Sequence, residues 1–169
     1  GVRTLYGAVV RIDVFGDSFA ASYIEGDNSA IVATDTMKNL IHTTALEHKS
    51  GSLEELAVLL GNTFLDRYED MNHVRLTVRE VPLLRHSDVL FQRVERDRDV
   101  AEITIGRDGV TEHSSGREGL HLVKITGSAF ASFARDEHTT LPEVQDRPLF
   151  IYLDVSWTDP RIARFLEAQ

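Results

Sequence analysis

From Tyr6 to Phe15 apolar and polar positions alternate, with Val10, Ile12 and Val14 on one side, and a period of two predicts a β-strand. Gly16-Asp17 supplies a turn and residues 19–24 are again apolar enough for a strand, so the chain is expected to open with a hairpin. Gly26-Asp27-Asn28 breaks the pattern, and Ala30-Ile31-Val32-Ala33 is expected as a short apolar strand. Thr34-Asp35-Thr36 carries N-cap residue types ahead of a helix predicted from Met37 to about His48.

The clearest helix follows. Ser52 and Glu55 have the spacing of a capping box, and Leu53, Leu56, Ala57, Leu60, Phe64 and Tyr68 recur on one helical face. Met71-Asn72-His73 ends it. Val74, Leu76 and Val78 then alternate with Arg75, Thr77 and Arg79, predicting a strand with the polar set outward. Further strands are expected over 89–95, 101–105, 120–125 and 149–157, with a helical turn over 127–135. The mixed charges of 93–99 are expected at a solvated hairpin end, and Asp159-Pro160 leads into a short helix-like tail over 161–168. The fold class expected is α+β, a mostly antiparallel sheet with two long helices packed on one face. Residues 1–157 are expected to form one domain, and 158–169 a connection leading out of it.

Composition narrows the chemistry. A formal charge of −9 disfavours nucleic acid and anionic lipid as partners, because phosphate recruits clusters of Lys and Arg. With no cysteine, disulfides, thiolate metal sites and cysteine nucleophiles are excluded, which suits a reducing compartment. No apolar run approaches the roughly 20 residues that span a bilayer. The start, Gly1-Val2-Arg3-Thr4, has neither an initiating Met nor a signal-peptide layout, so a trimmed start is expected. Leu166-Glu167-Ala168-Gln169 is not a peroxisomal Ser-Lys-Leu address. His42, His48, His73, His86, His113, His121 and His138 make no His-x-His or His-Glu-x-x-His pattern, so no metal site is expected.

Two stretches carry candidate chemistry. One is Gly26-Asp27-Asn28-Ser29, Val32-Ala33-Thr34-Asp35-Thr36 and Lys38-Asn39. The other is Phe130, Phe133-Ala134-Arg135-Asp136-Glu137, Thr139-Thr140-Leu141 and Asp146-Arg147. By residue type alone, Thr34 or Asp35 is a helix cap, Phe130 a core residue beside Phe133, and Arg147 a surface ion pair with Asp146. Asp27 and Asn28 form either a turn or part of a site.

In order and spacing the two stretches resemble the signature segments of the urate oxidases (uricases), and the resemblance runs over nearly the whole chain. It implies the tunnelling fold, in which two such domains make a subunit and subunits close into a barrel-like tetramer. It implies oxidation of urate by dioxygen to 5-hydroxyisourate and hydrogen peroxide, without metal or organic cofactor. Such a site needs an aromatic wall, a planar cation for the N–C–O edge, and a proton-handling group beside the oxygen pocket. By the resemblance, Phe130 and Arg147 clamp the purine, Thr34 joins the proton relay, and Asp35 follows it in the site. Lys38 matches a motif lysine distinct from the catalytic one and is read as structural.

The resemblance also implies missing parts. The relay's own Lys belongs to a strand preceding Gly1, and a Gln, an Asn and a His belong to a second domain after Gln169. A Thr hydroxyl is too weak an acid or base to work without such a partner. The compartment implied is the cytoplasm for a bacterial-type protein, or the peroxisome for a eukaryotic one, with no targeting signal in this chain. Two rival readings keep the fold: a single-domain pterin- or GTP-handling enzyme, anchored through Glu137 or Glu143, and a non-catalytic assembly subunit.

Overall fold

The computed structural model describes residues 5–48 and 51–159. Its centre is built where the sequence pattern is strongest. Strand β1 (Ala8–Phe15) runs antiparallel to β2 (His73–Glu80), and β2 to β5 (Arg98–Gly106). In β2, Val74, Leu76 and Val78 are fully buried, as are Ala101 and Ile103 of β5. These residues share the face on which the helix α3 (Leu53–Arg67) lies, packing Leu56, Ala57, Leu60 and Phe64 against them. Gly61 lets that helix approach closely, since a Cβ there would stand 2.5 Å from the Ile105 Cδ1 atom. The α2 helix (Thr34–Glu47) packs beside α3, with Met37, Leu40, Ile41 and Ala45 against the core. Two long helices on one face of an antiparallel sheet is the expected α+β arrangement.

The sheet continues through β6 (Gly109–Lys124) to β7 (Leu149–Trp157), giving the order β1-β2-β5-β6-β7 with β1 and β7 at the edges. Only the first part of β6 pairs with β5, up to Arg98↔Glu118. Leu120 to Lys124 pair with β7 alone, so the two strands run past the rest of the sheet as a two-stranded arm. The register shifts at 117–120, where Gly119 takes a φ of +75° and its N–H donates to Asp154 Oδ1 at 2.6 Å. Glycine suits that bulge because a side chain is strained at positive φ. The arm leaves Val123, Phe150 and Tyr152 exposed. A separate two-stranded ribbon, β3 (Leu83–Arg85) with β4 (Phe91–Arg93), stands apart.

Several expectations fail locally. There is no opening hairpin: residues 17–24 form a single 3-10 turn (Asp17–Phe19) and a short helix, α1 (Ala20–Ile24). Asp17 accepts a hydrogen bond from Asn72 Nδ2 at 3.0 Å and Ser18 donates to Asp70 at 2.9 Å, fastening the turn to the segment before β2. Tyr23 and Ile24, 90% and 80% exposed, find no sheet face to bury against. Ala30-Ile31-Val32-Ala33 has no strand partner and forms a turn and loop. Residues 127–135 are an irregular loop with an isolated Phe130↔Val144 bridge, not a helical turn. The strand expected over 89–95 shrinks to β4, and its partner β3 went unforeseen. Of the charges of 93–99, the later ones are paired, not merely solvated: Arg96 with Glu80, Asp97 and Asp99 with Arg117, Arg98 with Glu118. The capping box is half made, since Ser52 Oγ accepts from the Glu55 N–H at 3.3 Å while Ser52 Oγ itself donates to Glu54. The tail over 161–168 lies outside the described residues.

Candidate functional site

The first candidate stretch forms the entry to α2. Gly26 takes a φ of +73°, and Asp27 Oδ1 accepts from the Ser29 N–H at 2.9 Å, closing a side-chain turn. That N–H bond holds the Asp27 carboxyl below its ordinary value. Asn28 Oδ1 accepts from Ser22 Oγ at 2.6 Å and ties the loop to α1. Asp27 and Asn28 therefore build the loop. Ala33 occupies the N-cap position with no side-chain cap, and Thr34 and Asp35 are the first two helical residues. The cap reading of Thr34 is thus corrected. Its hydroxyl is exposed at a helix start where backbone N–H groups and the helix dipole favour an anion. Asp35 Oδ2 accepts from Asn39 Nδ2 at 3.3 Å, one turn along. Lys38 borders a cleft between α2 and the Ala8 and Val10 positions of β1, together with Ile41 and His42.

The second stretch lies in the loop that joins the arm's two strands. Asp146 is its buckle: one carboxylate oxygen accepts from Thr126 Oγ1 at 2.6 Å, the other from the Gly127 and Ser128 N–H groups at 2.7 and 3.3 Å. These bonds, led by the Thr126 hydroxyl, lower the Asp146 pKa. Arg147 N donates to Ser128 O at 2.9 Å, so the buckle also sets the backbone of Arg147. The Arg147 side chain makes no ion pair with Asp146; its guanidinium carbon sits 5.5 Å from the centre of the Phe130 ring. Phe130 is 42% exposed and stacks on Phe133 at 4.7 Å and 16°, so it is not a core residue. Its backbone pairs with Val144 in both directions, at 2.8 and 3.0 Å. Arg135 covers the far side of the stack, 5.2 Å from the Phe133 centre. The result is a cation–aromatic–aromatic–cation pile on a fixed loop.

Phe130 and Arg147 are brought together; Thr34 and Asp35 are not brought to them. The entry to α2 shares a cleft with Tyr68, Asp70 and Met71, next to the start of β2, where Phe15, His73, Gly106 and Gly109 are in register. Phe130 and Arg147 lie beyond Lys124, at the other end of β6. Sixteen strand residues separate those ends, on the order of 50 Å at the usual rise per residue. Among the described residues no metal-binding cluster of His, Asp and Glu occurs, and no helix is long and apolar enough to cross a membrane.

The sequence profile described as Uricase matches residues 17–104 and 113–165. The chain belongs to the uricase family. A uricase from Haloferax volcanii is 37% identical over 95% of this chain, and a uric acid degradation bifunctional protein from Bacillus subtilis is 35% identical over 92%. Among solved structures, a uricase from Bacillus fastidious superposes with a TM-score of 0.87 at 30% identity, covering 96% of this chain. Urate oxidase from Bacillus sp. TB-90 gives 0.82 at 32%, covering 93%. The chain spans only part of each relative: 58% of the Haloferax protein, 34% of the Bacillus subtilis one, and 56% and 61% of the two structures. The pterin- or GTP-handling reading is not favoured by these relatives.

Within the uricase frame, Thr34 and Asp35 fall in the first matched segment and Phe130 and Arg147 in the second. Two participants in the geometry escaped the sequence reading. Asp146 looked like an ion-pair partner, though Thr126-Gly127-Ser128, three donors in a row, was the available signal that it would be a buckle. Arg135 sat in view inside the motif without a role; its place over Phe133 depends on a loop geometry that no periodicity encodes.

Proposed function

We propose that this chain supplies part of a urate oxidase site. The reaction consumes urate, dioxygen and water and yields 5-hydroxyisourate and hydrogen peroxide, as a step of purine degradation. The observation that carries the reading is the Arg147 guanidinium over the Phe130 ring, held by the Asp146 buckle, in a chain of this family. Phe133 and Arg147 cover the two faces of the Phe130 ring, so binding requires the Arg147 guanidinium to move off the ring. That face then takes the flat purine, while Arg147 gives two parallel N–H bonds to an N–C–O edge. Thr34, with Asp35 behind it, handles the proton next to the oxygen pocket, and no metal or organic cofactor takes part. Urate supplies the electrons itself once it is deprotonated further.

The separation of the two pairs favours a site shared between chains, the Thr34–Asp35 end of one facing the Phe130–Arg147 arm of another. Edges at β1 and β7 that are unpaired among the described residues, and the exposed Phe150 and Tyr152, suit that assembly, a homotetramer of tunnelling-fold domains. Residues 1–157 are one such domain and 158–169 lead toward a second. The relay's Lys comes from a strand preceding Gly1, and the remaining amides and His from the second domain. We assign the protein to the cytoplasm, with no nucleic acid or membrane partner.

The test is loss of urate absorbance with appearance of hydrogen peroxide, run on residues 1–169 alone and on the full-length polypeptide, both stripped of metal. The expected result is turnover by the full-length protein only. Robust turnover by residues 1–169 alone would overturn the division of labour, and none by either would overturn the function.

A further inference from the structure

We infer that Arg107, in the turn between β5 and β6, is a positioning residue for the Thr34 end of the site. Residues 105–112 fall between the two segments matched by the uricase profile, so the family pattern does not point to it. The guanidinium reaches across to the end of α3. Nη1 donates to Leu65 O at 3.0 Å, and Nη2 shares its two hydrogens among the carbonyls of Tyr68, Glu69 and Met71 at 3.0, 3.0 and 2.9 Å. One planar cation thus fastens the Leu65 carbonyl of the last turn of α3 and the C-cap carbonyl of Tyr68, which have no partner within the helix, to two carbonyls of the segment that follows, Glu69 and Met71. A Lys ammonium is a point donor without that fork.

What Arg107 holds is what the α2 entry rests on. Tyr68, Asp70 and Met71 form one wall of a cleft whose other wall includes Ala30, Ala33 and Thr36. The same segment takes hydrogen bonds from the other side: Ser18 to Asp70, Asn72 Nδ2 to Asp17, and the Asn72 N–H to Phe15 O at 2.7 Å. Gly16 passes so close to Asp70 O that a Cβ there would collide with it. Residues 68–72 are therefore a clamped bed for the chain entering α2, and Arg107 is the clamp. Phe130 and Arg147 lie off the opposite end of β6, beyond its reach.

The catalytic half of this inference rests on the proposed urate oxidase function; the structural half does not. The experiment uses the full-length polypeptide with Arg107→Ala and Arg107→Lys, read by amide hydrogen exchange and by urate kinetics. Exchange of the hydrogen-bonded Ser29, Ile31 and Met37 amides is expected to quicken at least tenfold in both variants while 74–78 and 101–105 stay protected. If urate is turned over, kcat falls at least tenfold with KM within about twofold, and added guanidinium restores kcat to Arg107→Ala but not to Arg107→Lys, whose ammonium occupies the site. Unchanged exchange of those amides, with or without urate turnover, overturns the positioning role. A lost kcat with unchanged exchange does the same. A full-length protein that never oxidises urate overturns the proposed function, and the exchange data then decide Arg107 by themselves.

Discussion

Arg147 lies over Phe130 because Asp146 holds the backbone beneath it: the Asp146 carboxylate spans Thr126, Gly127 and Ser128, and Arg147 N returns to Ser128 O. The neighbouring carboxylate shapes the loop and leaves the guanidinium free of it, so the fork is available for a ligand edge.

Replacing the fork with a point charge tests that availability. Arg147→Lys in the full-length protein is expected to weaken urate binding by about 2–4 kcal/mol, since one of two parallel bonds is lost and an acceptor is left unpaired. Steady-state KM and the affinity of a xanthine analogue measure it; both unchanged would remove Arg147 from the site.

Asp146 sets a pH dependence. Its folded pKa is depressed below that of an ordinary aspartate, first by the Thr126 hydroxyl. A depressed carboxylate contributes stability that is fully present above its unfolded pKa and lost as pH falls through the folded one. The loop is therefore expected to hold its form from neutral pH down through the ordinary aspartate range and to open only in more acid solution. The Gly127 and Ser128 amide chemical shifts, followed through an acid titration, report the midpoint; a midpoint at or above that of an ordinary aspartate contradicts the buckle. Asp146→Ala is expected to lose the buckle at every pH and to raise KM, whereas Asp146→Asn, which keeps an oxygen for the Gly127 and Ser128 N–H groups, removes the pH dependence.

Thr34 separates chemistry from stability. Its side chain makes no capping bond, so Thr34→Ala is expected to change unfolding free energy by less than about 0.5 kcal/mol, as at an ordinary exposed position. In the full-length protein the same change is expected to abolish most turnover, and Thr34→Ser to retain much of it. Denaturant unfolding together with kcat decides the matter. Full turnover by Thr34→Ala excludes it from the relay.

Tyr68 offers a check on the bed beneath the α2 entry. Its hydroxyl is buried with no hydrogen-bond partner among the described residues. Removing a buried polar group that has no partner costs nothing in bonds, so Tyr68→Phe is expected to be neutral or stabilising by up to about 1 kcal/mol. Thermal unfolding measures it, and a clear loss of stability would mean the hydroxyl is bonded after all.

The parts of the fold that sequence made legible are those where burial imposes a period. Leu53 to Phe64 and Val74 to Val78 repeat at helical and strand spacing because one side of each faces the same core. Residues 19–24 misled for the complementary reason: Phe19, Tyr23 and Ile24 are apolar, yet two of the three bury against nothing, so their pattern carried no strand. The site divided in the same way. Residue types alone make Thr34 a cap, Phe130 core and Arg147 an ion pair; the resemblance to the signature segments singles them out. The buckle at Asp146 and the clamp at Arg107 are side-chain-to-backbone bonds that neither reading marks. Arg107 reaches back 36 to 42 positions in the chain, a separation that no local pattern marks.

The partner choice of β1 has a kinetic consequence. Phe15 pairs with His73, so closing that ladder brings together residues 58 positions apart, whereas Gly106 meets Gly109 across a tight turn. Closing a chain segment of that length costs roughly 3–4 kcal/mol of entropy before any pairing repays it. The nucleus of folding is accordingly expected in α3, β2, β5 and the start of β6, whose contacts are closer in sequence, with β1 docking late. Substitutions in β1 such as Ile12→Val would then speed unfolding and leave the folding rate nearly untouched, while Ile103→Val would slow folding. The α2 entry, threaded between β1 and α3, would be among the last segments to reach its native position.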